Sequence, residues 1–338
     1  MPQPTLSDVH VNRPLTIMSV GFQQDQSDFV ASGPNSVFPN IPVPSKSDLY
    51  YIYNRGDFFR NTMQLRAPGA PAAGGGYKLT TGNYTAQVWA LKKIIDDQIR
   101  ANSDSPLQPD RDAVSWLTVQ SMINRDVAWA SAYFTTGIWG YERAGAANAS
   151  AGTAVKYWNT DGSTPIEDVL AARLSVKQST GRWPNTLVLG AETHTDLLTN
   201  AEIIDRLKYG QTAPGAVDVS TSDLAALFKV KRVLVMSGIQ TTSAETMVAN
   251  SDTTPDTFAF IGGKHAGLFY AADSPGIMQE SAGYTFNWTG LTGATAAGMR
   301  IKKFRWEIDA SDHVEIESAY AFALISKYSG AFFYNVVS

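Results

Sequence analysis

A chain of 338 residues, 44% apolar and only 17% charged, is long enough to bury a full core, and its length favours about two domains or one elaborated one. The balance of 27 basic against 31 acidic residues, a net charge of −4, excludes a protein whose main work is gripping phosphate backbone. The absence of cysteine excludes disulfides, zinc ribbons, iron–sulfur clusters and cysteine nucleophiles together, and no apolar run approaches the ~20 residues of a membrane helix. With so little charge, the surface must be rich in Ser, Thr, Asn and Gly, or covered by other molecules.

Residues 1–46 have little periodicity and many prolines, yet they carry Leu15, Ile17, Phe22, Phe29, Val37, Phe38 and Ile41. That is too apolar for a free tail, so an extended arm packed on another surface is expected. Between Ser47 and Trp89, aromatic β-prone runs flank a Gly, Ala and Pro-rich centre at 67–76. The pattern predicts two long antiparallel strands joined by a loop, a ribbon without a core of its own that rests on a neighbour.

Leu91, Ile94, Ile95 and Ile99 then recur at helical spacing and predict a short amphipathic helix. From Pro109, a first-turn proline, Ala113, Trp116, Leu117, Gln120, Ile123, Val127, Ala130 and Phe134 continue the helical period, predicting a spine of about 39 Å. The small, polar stretch "ERAGAANASAGTAVKYWNTDGSTP" at 142–165 reads as a linker. Beyond it, helices over 166–178, 192–209 and 222–228 alternate with short apolar strands at 185–190, 231–238, 258–261 and 267–271, which predicts a compact α/β domain reaching about Gly298.

Near the end, "KKFRWEIDASDHVEIE" alternates twice, as two half-buried strands. Setting Phe304, Trp306 and Ile308 on the same face as Val314 and Ile316 requires an odd-length loop. A loop at 309–311 places Lys303 opposite Glu317, Arg305 opposite Glu315 and Glu307 opposite His313, each pair complementary.

The densest chemistry is "VLGAETHTDLLTN", with Glu192, His194 and Asp196. A metalloprotease helix needs two histidines at i and i+4, and here there is one, its neighbouring carboxylates pointing away from it on a helix. The stretch reads as a strand passing into a helix with acids in its first turn. His10, His265 and His313 lack partners at metal-ligand spacing. "GGGYK" and "GGKH" lack Walker spacing, and no G-x-S-x-G occurs. The Arg55–Asp57 tripeptide "RGD" lies in a predicted strand region and is taken as chance. Asp96-Asp97 and Glu167-Asp168 are adjacent pairs that diverge by about 100° on a helix. No catalytic, cofactor or metal site is expected, and the arm, the ribbon and the low-charge surface point to a self-assembling structural protein.

The order of arm, ribbon, long helix, α/β domain and terminal strands, with "VFPNIPVPSKSDLYYIYNRGDFFR", "GGGYKLTTGNY", "IIDDQIRANSDSP", "WASAYFTTGIWG" and "RWPNTLVLGAETHTDLLTNAEIIDRLKYG", resembles the major capsid proteins of tailed bacteriophages over nearly the whole chain. The resemblance implies an α+β fold of the Hong Kong 97 type. It implies an N-terminal arm (1–47), an extended β-ribbon loop (48–85), a peripheral domain (86–163 and 299–338) with a spine helix at about 109–134, and an α/β axial domain (164–298). It further implies hexamers and pentamers of an icosahedral virion shell assembled in the host bacterial cytoplasm. Packaged double-stranded DNA, held by weak non-specific contact, and scaffolding, portal and decoration proteins are the implied partners; no membrane is.

The ribbon of such shells lies across the adjacent subunit, and the side chains expected at subunit contacts are Phe38, Ile41, Tyr51, Tyr53, Phe58, Phe59, Tyr77 and Lys78. Some relatives also join a loop lysine to a neighbour's asparagine, and Lys78 lies in the matching region. Two other readings are a cargo-enclosing nanocompartment shell of the encapsulin type, which shares the fold, and a soluble hydrolase.

Overall fold

The computed structural model describes residues 24–32, 36–103, 107–149, 152–210, 219–243, 256–276 and 278–338. The part of the expected arm before residue 24, with Leu15, Ile17, Phe22 and His10, lies outside the described residues. From the N-terminal side come strands β1 (Asn40–Val43) and β2 (Ser47–Tyr53), the helical turn α1 (Arg55–Phe58), strands β3 (Leu79–Thr85) and β4 (Gln87–Asp96), and helices α2 (Asp97–Ala101) and α3 (Pro109–Tyr133). Next are β5 (Tyr141–Ala146), β6 (Ala154–Lys156), α4 (Pro165–Thr180), β7 (Thr186–Gly190), α5 (Ala191–Thr199), α6 (Ala201–Gly210), α7 (Thr221–Leu227), β8 (Arg232–Met236) and β9 (Ile239–Thr241). The remainder is β10 (Phe258–Phe260), β11 (Ala266–Phe269), β12 (Gly283–Trp288), β13 (Met299–Trp306), β14 (Ser311–Leu324) and β15 (Gly330–Tyr334).

One sheet is ordered β6-β5-β15-β11-β7-β8. Its strand β7, "TLVLG", is buried at every residue, because both faces are covered. The period of two divides it cleanly: Leu187 and Leu189 face a core with Val169, Ala172, Val176, Leu197, Ile203 and Leu224 of helices α4 to α7. Val188 faces the opposite core, with Trp129 and Tyr133 of α3 and the arm residues Val30, Ala31, Val37 and Phe38. The second sheet joins β1, β12, β14 and β13, with β4 paired to β14. Its β14 packs Val314 and Ile316 on Ala113 and Leu117, near the start of α3. The spine helix therefore lies against one sheet with its first turns and against the other with its last.

Several expectations need correction. Residues 91–96, expected in a helix, are in β4, which pairs with β14 from Gln87 to Asp96; ten residues of ladder outweigh a marginal local helix, which survives only as α2 after Asp96 caps it through Gln98 N–H at 2.7 Å. The expected linker at 142–165 contains β5 and β6, and Trp158 is fully buried in the helix-side core. The six-stranded sheet thus draws on 141–156 and 330–334 as well as 186–269, while β12 serves the other sheet. Cuts at 163/164 and 298/299 would run through hydrogen-bonded sheets. The buried stripe of α3 is Ala113, Leu117, Met122, Arg125, Asp126, Trp129 and Tyr133, so Ile123 and Val127 flank it rather than form it.

The terminal hairpin also departs from the expected register. Arg305 stands opposite Asp312, Lys302 opposite Glu315 and Arg300 opposite Glu317. The loop has four residues, Glu307–Ala310, with Ala310 in the left-handed region at φ 45°. Even length inverts the parity: Val314 and Ile316 share their face with Met299 and Ile301, and α3 covers Val314, Ile316 and part of Met299 while Ile301 stays 47% exposed. Phe304 and Trp306 lie on the other face and cover the His313 ring at centroid distances of 5.2 and 6.0 Å.

The β7–α5 junction shows why "VLGAETHTDLLTN" is structural. A Cβ on Gly190 would lie 2.0 Å from the Gly263 carbonyl oxygen, so the chain crosses there only without a side chain. Asn200 ends α5 and caps α6, its Oδ1 accepting from Glu202 N–H at 3.0 Å and its Nδ2 donating to the Trp158 carbonyl at 2.8 Å. Gly190→Ala is expected to destabilise the unassembled chain by about 1–3 kcal/mol through overpacking, read as a lower denaturant midpoint at unchanged slope; an unchanged midpoint would show that the crossing relaxes freely.

Candidate assembly surface

In the β2–β3 ribbon, register separates two faces. Tyr50 and Tyr84 point to the body, where Tyr84 stacks on Phe286 of β12 at 4.3 Å and Tyr50 approaches the same ring at 5.7 Å. Gly82 opposite Tyr50 makes room for it, since a Cβ there would come within 2.5 Å of the Tyr50 ring. The ribbon base therefore rests on its own chain, not only on a neighbour as the sequence suggests. The opposite face carries Leu49, Tyr51 and Leu79, exposed at 65%, 74% and 48%. Own-chain packing leaves this face uncovered.

Beyond the strands, α1 forms a helical turn at the "RGD" stretch, capped by Asn54, whose Oδ1 accepts from Gly56 N–H at 3.3 Å. The Asp57 carboxylate accepts from Lys78 N–H at 3.0 Å and from Asn54 Nδ2 at 3.1 Å. The Lys78 amide, chiefly, holds its carboxyl below the usual range. This stitch closes the ribbon end and gathers Tyr53, Phe58 and Tyr77 into an aromatic triangle with centroids 5.6–5.9 Å apart. From there residues 59–78 run without helix or strand, and Met63 is 92% exposed.

The eight residues expected at subunit contacts thus separate. Phe38 is 1% exposed, edge-on to Tyr133 at 4.8 Å and to Phe269 at 5.5 Å; it is enclosed in its own chain and is not available to a neighbour. Ile41 is half-buried beside the Tyr84–Phe286 stack. Tyr51 faces outward, Tyr53, Phe58 and Tyr77 form the triangle, and Lys78 is exposed. Phe59 folds back over Gly181, where a Cβ would meet its ring at 3.1 Å. Arg55 accompanies it, donating to the Ser179 carbonyl at 2.8 Å and lying 3.9 Å over the Tyr328 ring. Between this folded-back tip and the body runs a groove of about 1010 Å³. Sequence reading missed Arg55, Arg182 and Tyr328 here, since they are scattered along the chain and only cation–aromatic neighbours such as "GRW" and "KY" hint at them.

At the far end of β14, charge replaces aromatic surface. Asp312 receives Arg100, Lys303 at 3.3 Å and Arg305 at 3.5 Å, and Arg305 also grips Asp97 with both terminal nitrogens at 2.5 Å. Glu317 binds Arg300, and Lys302 at 2.9 Å. Hydrogen bonds from Arg100 and Arg300, respectively, hold the Asp312 and Glu317 carboxyls down at about 2.

Of the apparent chemical triad, Glu192 lies 3.9 Å from Lys264, and burial lowers the His194 pKa. His194 is on the opposite side of α5 from Glu192 and Asp196. Among the described residues no three His, Asp or Glu side chains are grouped to hold a metal ion, and no helix is long and apolar enough to cross a membrane.

No family description and no curated protein matches this sequence. Solved structures do match over nearly its full length. A phage-related protein from Bordetella bronchiseptica RB50 is similar at 18% identity, covering 93% of this chain and 94% of that one, with a TM-score of 0.66. The capsid of cyanophage P-SCSP1u is similar at 13% identity over 99% of both chains, TM-score 0.54. The SrpI encapsulin of Synechococcus elongatus PCC 7942 is similar at 10% identity over 96% and 95%, TM-score 0.51. At such identities the likeness is one of fold: the chain has the α+β tailed-phage capsid fold of the Hong Kong 97 type.

Because both carboxyls have folded-state pKa values below the ~3.9–4.3 of the unfolded chain, their stabilisation is present above pH ~4 and is lost as pH falls towards 2. Urea midpoints measured from pH 5 to pH 2 should fall accordingly, and Glu317→Gln should be less stable at pH 6 with a shallower fall below pH 4. Parallel pH profiles for the two proteins would contradict the assignment.

Proposed function

We propose that this chain is the major capsid protein of a tailed bacteriophage, a structural protein without catalytic activity that assembles into hexamers and pentamers of an icosahedral head enclosing double-stranded DNA. The observation that carries the reading is the outward face of the ribbon. Leu49, Tyr51 and Leu79 stand in water on a strand pair whose other face is docked, an arrangement that favours burial against another subunit. The fold likeness to a phage capsid supports the same reading, and the aromatic triangle, Phe59 and Lys78 extend the contact surface. The net charge of −4 suits weak, non-specific contact with packaged DNA. Scaffolding, portal and decoration proteins complete the partner set, with assembly in the host bacterial cytoplasm and residence in the virion.

The likeness to an encapsulin supports a second reading, a nanocompartment that encloses a protein cargo. Electron microscopy of the purified protein tests for closed particles, and nuclease protection in infected or producing cells separates the two contents: protected DNA for the head, none for the nanocompartment. A small stable oligomer and no particles would reject both.

Leu49→Ser with Tyr51→Ser removes about 1.5–3 kcal/mol of burial per side chain at each contact and leaves the isolated fold within about 0.5 kcal/mol. The expected outcome is an unchanged melting temperature of the unassembled chain with particle yield reduced about tenfold or more; normal particles would remove the ribbon face from the assembly surface.

A further inference from the structure

Two exposed surfaces of this chain complement each other and lie too far apart to meet within it. The first is the groove beneath the folded-back ribbon tip, where Arg55, Arg182 and Lys327 stand beside Phe59 and Tyr328. Arg55 and Lys327 lie 3.9 and 5.2 Å from the Tyr328 ring centroid, and Arg182 lies 5.8 Å from that of Tyr270. Among the described residues none of these three cations forms an ion pair with an acid. The one acid lining the groove, Glu280, accepts a hydrogen bond from Ser329 Oγ at 2.6 Å. The groove is a basic, aromatic-walled recess in a chain of net negative charge.

The second surface is the β13–β14 hairpin tip, Glu307-Ile308-Asp309. Ile308 is 85% exposed, an aliphatic side chain held out in water, and the Glu307 side chain beside it is 83% exposed, with Arg305 of its own chain 3.5 Å away on one side. A protruding apolar residue between two acids is the counterpart in shape and charge of a recess with aromatic walls and unpaired cations.

Strand β14 fixes the separation of the two surfaces. It starts at Ser311, directly after the tip, and ends at Leu324, from which the chain passes at once to Lys327 and Tyr328. Fourteen residues at ~3.3 Å each place the tip roughly 46 Å from the groove.

We propose that the hairpin tip of one copy inserts into the groove of a second copy, Ile308 against Phe59 and Tyr328, Glu307 and Asp309 against Arg182 and Lys327. Each copy gives one tip and receives one, a head-to-tail contact that propagates and closes into rings where the rotation permits. The proposal rests on the shell reading only in taking a second copy as the occupant.

The absence of cysteine makes the test direct. Ile308→Cys combined with Gln279→Cys puts one thiol on the tip and one in the groove, at exposed positions. A disulfide needs Cα atoms about 4.4–6.8 Å apart, so a bond between these sites has to join two chains. Mild oxidation of the double variant should give a ladder of dimers, trimers and larger species on non-reducing gels, while each single variant stops at a dimer. A double variant that runs as monomer overturns the contact. If its particles are normal by electron microscopy, the contact alone fails and the shell reading stands. A ladder without particles supports the contact and counts against the shell.

Independently, Arg182→Glu with Lys327→Glu should lower the sedimenting assembled fraction of the otherwise unmodified chain about tenfold, and adding Glu307→Lys with Asp309→Lys should restore it. An unchanged assembled fraction, or a failure of the second pair to rescue, overturns the pairing.

Discussion

The structure depends on two adjacent buried charges in the middle of the spine helix. Arg125 and Asp126 are 3% and 0% exposed, at the point where α3 passes from one sheet to the other. Adjacent helical positions diverge by about 100°, so the two side chains serve different elements. Asp126 accepts the N–H groups of Val30 and Ala31, both at 2.9 Å, and ties the arm to the helix. Arg125 donates to Asn287 Oδ1 at 3.0 Å, to Asn40 Oδ1 at 3.1 Å and to the Ala297 carbonyl at 3.3 Å, which locks β1 and β12 beside it. Burial pushes the Asp126 carboxyl up to about 6, against the two amides that favour its charge. Among the described residues neither forms an ion pair; each charge is held by hydrogen bonds to neutral groups, so a packing that withdrew the arm, β1 or β12 would leave it buried without them.

That clamp divides the molecule into a fixed body and a free ribbon. The arm residues Phe29–Ala31, Val37 and Phe38, β1, α3 and both sheets share buried contacts, whereas the ribbon joins them at its base, through Tyr50 and Tyr84 against β12 and β14, and at its folded-back tip, through Arg55 and Phe59. Body contacts are many and buried. Tip contacts are few and solvent-exposed, and such contacts open at low free energy. The fold thus holds firmly what a subunit keeps for itself and loosely what it offers to another.

How much of this was legible in the sequence follows from the range of each signal. The spine helix, the strand "TLVLG", the helices after it and both ribbon strands were readable because a local period fixed them. The β4 segment was misread because Leu91, Ile94 and Ile95 satisfy a helical period by chance, and only pairing with β14, more than 200 residues away, makes them a strand. The hairpin register failed for the same reason: the face of Val314 and Ile316 is chosen by α3, not by β13. Of the side chains expected at subunit contacts, Tyr51, Phe58 and Tyr77 are exposed and Tyr53 is half-buried, whereas Phe38 is enclosed by its own chain. Apolar character reports that a side chain will be covered; it does not say by which chain. Arg125 and Asp126 interrupt an otherwise apolar stripe, and a charged pair at buried helical positions is the one cue that could have exposed the clamp.

The low charge content takes on a physical meaning once charges are placed. Asp97, Arg100, Asp110, Lys303, Arg305 and Asp312 form one network at the hairpin end of β14, and Arg300, Lys302, Glu315 and Glu317 extend it along the sheet. Charges spent on one another inside a subunit leave little field to repel a second copy. Near the two ends of that strand, Glu307 at the tip keeps, among the described residues, a single partner, Arg305 at 3.5 Å, and the groove carries Arg55, Arg182 and Lys327. A surface of low charge content, with its open apolar face on a loosely held ribbon, gives association between copies a hydrophobic driving force and leaves electrostatics to set its direction.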